Sequence, residues 1–264
     1  MRSPALSVVV PAFNEAQRLP PSLLQIVEYL RQRGVDYEIV VVDDGSTDGT
    51  PAVAEAILTP LGARGRVLRN PRNLGKGASV RRGMLAARGA RVLFSDADLS
   101  TPIEEVEKLG RALDEGAGVA IGSRAVDRAL VEQRQSWPRD VVGRCFNFVV
   151  RAFAVRGIQD TQCGFKLFAG EVVAPIFARA RIDRFGFDVE VLTLAQRLGI
   201  AIAEVPVRWR NNPDSRVTLA QGARAFLDPI RVRAGLLFGR YHLRGAPRLP
   251  EADAAPARVS ACGR

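Results

Sequence analysis

Apolar residues in this chain fall into short dense runs, separated by stretches in which they recur every third or fourth position. LSVVVPAF (6–13) is a β-branched run that predicts a strand buried on both faces. From Ala16 to Arg33 the spacing of Leu19, Leu23, Ile26, Val27 and Leu30 predicts a helix that stops before Gly34. YEIVVVDDGSTDGT is a second buried strand running into a turn. Next come a helix over 51–61, a strand over 65–69 and, past the polar NPRNLGKG, a helix over 77–88. ARVLFSDAD is the next strand, 102–115 a helix opened by Pro102, and GVAIGSR another strand. Such alternation predicts an α/β fold: a mostly parallel central sheet with right-handed crossovers and flanking helices.

The second half is less regular. An Arg-rich stretch (124–139) precedes an apolar helix at 140–155 and the segment IQDTQCGFKLF. RFGFDVEVLTLAQRLG predicts a helix, AIAEVPVRW a strand and NNPDSRVT a loop. Over 218–241, Leu219, Ala223, Phe226, Ile230, Leu237 and Tyr241 form one helical stripe with arginines off or beside it. That pattern suits an amphipathic C-terminal helix lying in a membrane interface, kinked by Pro229. Residues 242–264 are rich in Pro and Ala and are expected to be disordered.

In a parallel sheet ligands bind at the carboxyl ends of the strands. Four of those ends are polar here: Asn14–Glu15, Asp43–Asp44, Asp96–Asp98 and Ser123–Arg124. Asp96 and Asp98 directly follow an apolar run, and unpaired buried carboxylates are very costly. They are expected at the mouth of the sheet, holding a hard cation, Mg²⁺ or Mn²⁺, whose remaining shell comes from a diphosphate. DDGSTDGT also has calcium-loop spacing, but a strand precedes it and Pro51 interrupts it. A turn in which Asp43 or Asp44 accepts hydrogen bonds from a base or ribose fits better. Lys76, flanked by glycines at the start of a helix, suits an anion. Arg124, Arg128, Arg134 and Arg139 suggest a phosphate-binding loop.

Composition narrows the chemistry. The net charge of +10, carried mainly by Arg, calls for an anionic partner. A single histidine, His242, argues against Ser-His-Asp, Cys-His and typical zinc chemistry. Three cysteines suit a reducing cytosol. Aromatic residues make up 6% of the chain, and 124–139 holds only Trp137, which disfavours nucleic acid. No apolar run reaches the ~20 residues of a membrane-spanning helix.

PAFNE, VVDDGSTDGT, NLGKGASVRRGM, DADLSTP, GSR, QDTQCGFKLF and FDVEVL, in this order, resemble the family-2 glycosyltransferases of the Rossmann-like GT-A fold. The later motifs resemble the polyprenyl-phosphate branch, with dolichyl-phosphate glucosyltransferases nearer than the mannosyltransferases. The resemblance covers about residues 5–220 and implies a catalytic domain over 1–217. It implies that Pro11, Ala12, Asn14, Glu15 and Asp44 line a nucleotide pocket near Lys76. Asp96 would face the ribose and donor sugar, and Asp98 the metal. Arg124 and the following arginines would take the acceptor phosphate, joined by Lys166 and by Arg216, where relatives carry Lys. Asp160, Gln162, Asp188 and Glu190 would shape the sugar and acceptor site.

The implied reaction is inverting transfer of a hexose, glucose from UDP-glucose being favoured, onto a polyprenyl monophosphate. The enzyme would sit peripherally on the cytosolic face of a membrane, held there by the 218–241 segment. GDP-mannose as donor stays open. So does a hydroxyl acceptor, activated by Asp160 or Glu190 as base.

Overall fold

A computed structural model of the protein describes residues 3–133, 155, 157–210 and 228–241. Seven strands form the main sheet: β1 (Leu6–Ala12), β2 (Tyr37–Asp43), β3 (Gly65–Arg69), β4 (Arg91–Ser95), β5 (Val119–Ser123), β7 (Phe165–Ala169) and β8 (Ile202–Pro206). Their order is β3-β2-β1-β4-β7-β5-β8. All neighbours pair in parallel except β7, which runs antiparallel to both β4 and β5. A two-stranded sheet joins β6 (Val131–Gln133) to β9 (Trp209–Arg210).

Strand alternation sorts the apolar side chains onto two faces. Val8, Val10, Ile39 and Val41 point to one face and pack with Leu23, Ile26 and Leu109. Those partners lie on α1 (Leu19–Gln32) and α4 (Val106–Asp114), and α2 (Thr50–Leu58) covers the same side through Ala54 and Leu58. Val9, Val40, Val42 and Phe94 point the other way and meet Met84, Ile176 and Leu192. These lie on α3 (Lys76–Ala86), α5 (Gly170–Phe177) and α6 (Phe187–Arg197). Val8 and Val9 are fully buried, each stabilising the fold by about 1.5–3 kcal/mol relative to exposure.

The helices expected in the first half are present with shifted ends. The helix expected to reach residue 61 stops at Leu58 and continues as a 3-10 turn, Thr59–Arg64. Pro60 has no N–H to give to a longer α-helix. Pro102 likewise precedes a 3-10 turn, Ile103–Glu105, before α4 starts. Strand β7 and helix α5 have no counterpart in the hydrophobic pattern described above.

The C-terminal helix α7 (Asp228–Leu237) ends in a Schellman turn. Gly239 has φ +67°, its N–H reaches Leu236 O, and Arg240 N–H reaches Gly235 O. The turn corrects the expected stripe. Tyr241 folds back onto Gly235 and is buried, whereas Ile230 and Leu237 are exposed. Residues 218–227, the helix expected at 140–155 and the tail lie outside the described residues.

Candidate active site

Sheet direction brings the site together. Parallel strands β2, β1, β4 and β5 put Asp43–Asp44, Asn14–Glu15, Asp96–Asp98 and Ser123–Arg124 at one edge. Because β7 is reversed, the segment leading into it arrives at that same edge, carrying Asp160, Gln162, Cys163 and Gly164. Alternation along the first half does not reveal this reversal, which brings these residues to the site edge.

On the β1–β2 side the turn is built on side-chain caps. Asn14 has φ +56°, its N–H donates to Ser46 Oγ at 2.9 Å, and its Oδ1 accepts the Thr47 N–H at 2.9 Å. Glu15 donates its N–H to Thr50 Oγ1, and its carboxylate is gripped by both Arg18 Nε and Nη2. Pro11 and Ala12 are buried, and Ala12 O accepts the Asp44 N–H at 2.8 Å. The paired aspartates differ. Buried Asp44 accepts from Asn70 Nδ2 at 2.8 Å, Leu74 N–H at 3.0 Å and Gly75 N–H at 2.8 Å. Its oxygens are spent on fastening the NLGKG loop, while among the described residues the side chain of the equally buried Asp43 receives only the Ser46 N–H, at 3.3 and 3.4 Å. Of the two, Asp43 has the acceptor capacity for a ligand.

The glycines around Lys76 are explained by close packing. A Cβ on Gly75, which has φ +110°, would lie 2.3 Å from Asp183 O, and one on Gly77 2.3 Å from Ile182 O. Lys76 opens α3 and directs its ammonium to Asp96 Oδ1 at 2.7 Å. The Asp96 carboxylate lies against Gly164, where a Cβ would fall 2.0 Å from Oδ2, and Asp96 N–H donates to Gly164 O at 2.9 Å. Asp98 is half-buried, and its Oδ1 accepts the Ser100 N–H at 3.1 Å.

Two ammonium groups flank the Phe94 ring, Lys76 Nζ at 5.6 Å and Lys166 Nζ at 5.7 Å from its centroid. Lys166 is 1% exposed, donates to Cys163 O at 2.6 Å and pairs with Asp188 at the start of α6. The expected contact between Lys166 and an acceptor phosphate is thus replaced by an internal ion pair. Burial pushes the Asp188 carboxyl up from its ordinary range, and Lys166 and Lys76 only partly offset this. Burial would lower the Lys76 pKa, but Asp96, then Asp188 and Asp98, hold it raised.

Arg124 is likewise engaged. Its Nε and Nη2 grip Asp160 at 2.6 and 2.8 Å, its own N–H adds a third bond at 3.0 Å, and its guanidinium lies 5.4 Å from the Trp209 ring centroid. Burial would raise the Asp160 pKa, but the charge and hydrogen bonds of Arg124 outweigh it and the carboxyl is lowered. Gln162 donates its N–H to Asp160 Oδ1. Glu190 turns away from this cluster: it accepts the N–H groups of Arg181 and Ile182, both at 2.9 Å, and the Tyr241 hydroxyl. It braces a loop and the C-terminal segment, which corrects the expectation that it shapes the pocket. Arg128 is exposed on a 3-10 turn, and Arg134, Arg139 and Arg216 lie outside the described residues.

Residues 7–176, well over half of the chain, match the model of Glycosyl transferase family 2. The chain belongs to glycosyl transferase family 2. Dolichyl-phosphate β-glucosyltransferase of Drosophila melanogaster is 41% identical over 247 residues, covering 87% of this chain and 76% of the relative. The Mus musculus enzyme of that name is 40% identical over 260 residues (93% and 78%). Among solved structures, glucosyl-3-phosphoglycerate synthase from Mycobacterium tuberculosis with uridine-diphosphate superposes with TM-score 0.63 at 22% identity, over 88% of this chain and 80% of that one. Mannosyl-3-phosphoglycerate synthase from Rubrobacter xylanophilus gives 0.61 at 20% (90% and 76%). These structures establish the fold.

In this family-2 glycosyltransferase the donor set suits a hard cation that keeps part of its shell for other ligands. Among the described residues no group of three His, Cys, Asp or Glu side chains converges on one point. Asp96 and Asp98 are two partly exposed carboxylates, the number Mg²⁺ takes when substrate phosphates and water complete its octahedron. Sequence patterning did not single out Gly164, Phe94, Asn70 or Glu204. Glu204 holds the N–H groups of Gln159 and Asp160 at 2.8 Å each. Gly164 carries the clearest signal, a glycine immediately before a strand that enters the site edge.

Proposed function

We propose that this glycosyltransferase moves glucose from UDP-glucose onto a polyprenyl monophosphate at a membrane surface. Its divalent cation is Mg²⁺ or Mn²⁺, held at Asp98 with Asp96 beside it. The observation that carries the choice of acceptor is that the carboxylates offered as bases are committed elsewhere. Asp160 is locked by Arg124 and Glu190 by two backbone N–H groups, and the neighbouring Asp188 is paired with Lys166. A hydroxyl acceptor needs a base. A phosphate monoester carries its negative charge near pH 7 and needs cations that let it approach an anionic donor. The names of the relatives, at 34–41% identity, support the same acceptor class and glucose as the sugar.

When bound, the cation supplies Lewis-acid neutralisation of the departing diphosphate, worth several kcal/mol. The chain's own residues do the rest. The capped 14–16 and 43–50 turns present the nucleotide side, with Asp43 as acceptor for base or ribose. Arg124, held in place by Asp160, presents its remaining guanidinium edge towards the acceptor phosphate. Peripheral association through the outward face of α7 completes the reading. Among the described residues no helix is long and apolar enough to cross a membrane. The test is a donor screen, UDP-glucose against UDP-galactose and GDP-mannose, with polyprenyl phosphate and with free sugars as acceptors. Transfer from UDP-glucose to polyprenyl phosphate is expected. Transfer to free sugars alone would overturn the acceptor assignment.

A further inference from the structure

We infer that Lys76 is an internal counter-ion which holds the Asp96 carboxylate before substrates bind and is exchanged for the cation–nucleotide pair. The ammonium lies 2.7 Å from Asp96 Oδ1, where it neutralises one of the two carboxylates available to a cation. The inference rests on the metal and nucleotide reading above and adds an order of events to it.

Three observations support it. The backbone of Lys76 is fixed, because Asp44 holds the Leu74 and Gly75 N–H groups and Gly75 and Gly77 pack directly on residues 182–184. Its side chain is only partly covered, at 27% exposure, so the ammonium, which lies 5.6 Å from the Phe94 ring centroid, has room to turn away from Asp96. Lys166, at 1% exposure and bound to both Asp188 and Cys163 O, has no such freedom. Of the two ammonium groups beside Phe94, one is a fixture and the other can be released.

A bare cation arriving at Asp96–Asp98 must compete with that ammonium and finds no third protein carboxylate among the described residues. A cation bearing a nucleoside diphosphate brings its own phosphate ligands. It also gives the displaced ammonium a new anionic partner. Metal and nucleotide must therefore strengthen each other's binding, and the coupling is reciprocal. Lys76 adds its share to the coupling that the phosphate ligands supply directly.

The test measures free Mn²⁺ by electron paramagnetic resonance during titration of wild type, K76M, K76Q and K76R, with and without UDP. Met and Gln keep an unbranched stem of similar length and remove the charge; Arg keeps the charge. Wild type is expected to bind Mn²⁺ weakly alone and at least tenfold more tightly with UDP. K76M and K76Q should bind Mn²⁺ alone about tenfold more tightly than wild type, about 1.4 kcal/mol. The tightening by UDP should shrink by at least as much, while K76R follows wild type. Unchanged or weaker Mn²⁺ binding by K76M and K76Q in the absence of UDP overturns the exchange. Wild type that takes up Mn²⁺ neither alone nor with UDP overturns the metal and nucleotide reading itself.

Discussion

At the scale of single residues, the site is a set of buried charges whose partners are inside the protein. Breaking a buried pair leaves an uncompensated charge, which costs about 3–5 kcal/mol. Asp160 is 2% exposed while Arg124 keeps some contact with water, so D160N is expected at the low end, about 3 kcal/mol. For a protein of this size that lowers Tm by about 6–12 °C, measurable by calorimetry. K166M should cost at least as much, and K166M/D188N should be less destabilised than K166M, because the orphaned carboxylate is gone. The lowered carboxyl of Asp160 also sets a pH dependence. Its contribution to stability is fully present above the unfolded-state value near 3.9 and is lost as pH falls through the folded one. Buried Glu38 has the same sign, held down by Ser7, Arg88 and Arg66 against the effect of burial. The wild-type acid limb should therefore be steeper than that of D160N in urea titrations below pH 4, although the variant is less stable at pH 7. Cys163 goes the other way, since burial pushes its thiol up to about 11. Mass-spectrometric mapping should find it unmodified by alkylating reagent in the folded protein and labelled only on unfolding.

At the scale of elements, the decisive features are close approaches between backbone segments. D44A removes the acceptor for Asn70, Leu74 and Gly75 and leaves buried donors unpaired, at about 1–3 kcal/mol. Because the freed loop carries Lys76, nucleotide affinity by calorimetric titration should fall along with stability; a variant that loses stability alone would make Asp44 a purely structural clamp. G164A tests the reverse. Its new Cβ would overlap the Asp96 carboxylate, so UDP–Mn²⁺ binding should fall at least tenfold. These devices also mark how far the sequence could be read. The parallel strands, their polar ends and most helix positions were legible, because a buried strand and an amphipathic helix leave periodic signatures. Strand β7 was not, since five residues, FKLFA, carry no mark of direction. With its reversal hidden, Asp160, Gln162 and Lys166 entered only through a family resemblance, and Gly164 was quoted within a motif but given no role. The rank of each charged residue was also illegible: Lys166 and Glu190 read as pocket groups from their motifs, and only packing reveals them as internal braces.

At the scale of the whole molecule, α7 links the site to the exterior. It packs on α6, the helix whose first turn carries Asp188; Val232 and Gly235 are buried, Gly235 lies against Tyr241, and Tyr241 reaches Glu190 on that helix. Asp228 sits against Gly186, the N-cap of α6. The outer side carries Ile230, Leu237 and Phe238, the last two 77% and 79% exposed, with Arg231 and Arg240 beside them. An apolar ridge flanked by arginine, on a protein of net charge +10, suits an anionic lipid surface. Burying a side chain of that size in an apolar phase contributes about 1.5–3 kcal/mol. L237D or F238D should therefore weaken sedimentation with phosphatidylglycerol vesicles at least tenfold. Each arginine near the surface adds about 1 kcal/mol that salt screens, so wild-type binding should weaken between low and high ionic strength. Transfer to a short-chain, water-soluble polyprenyl phosphate should be unchanged in both variants, which separates docking from chemistry. Vesicle binding that survives L237D/F238D would assign the membrane contact to another part of the chain.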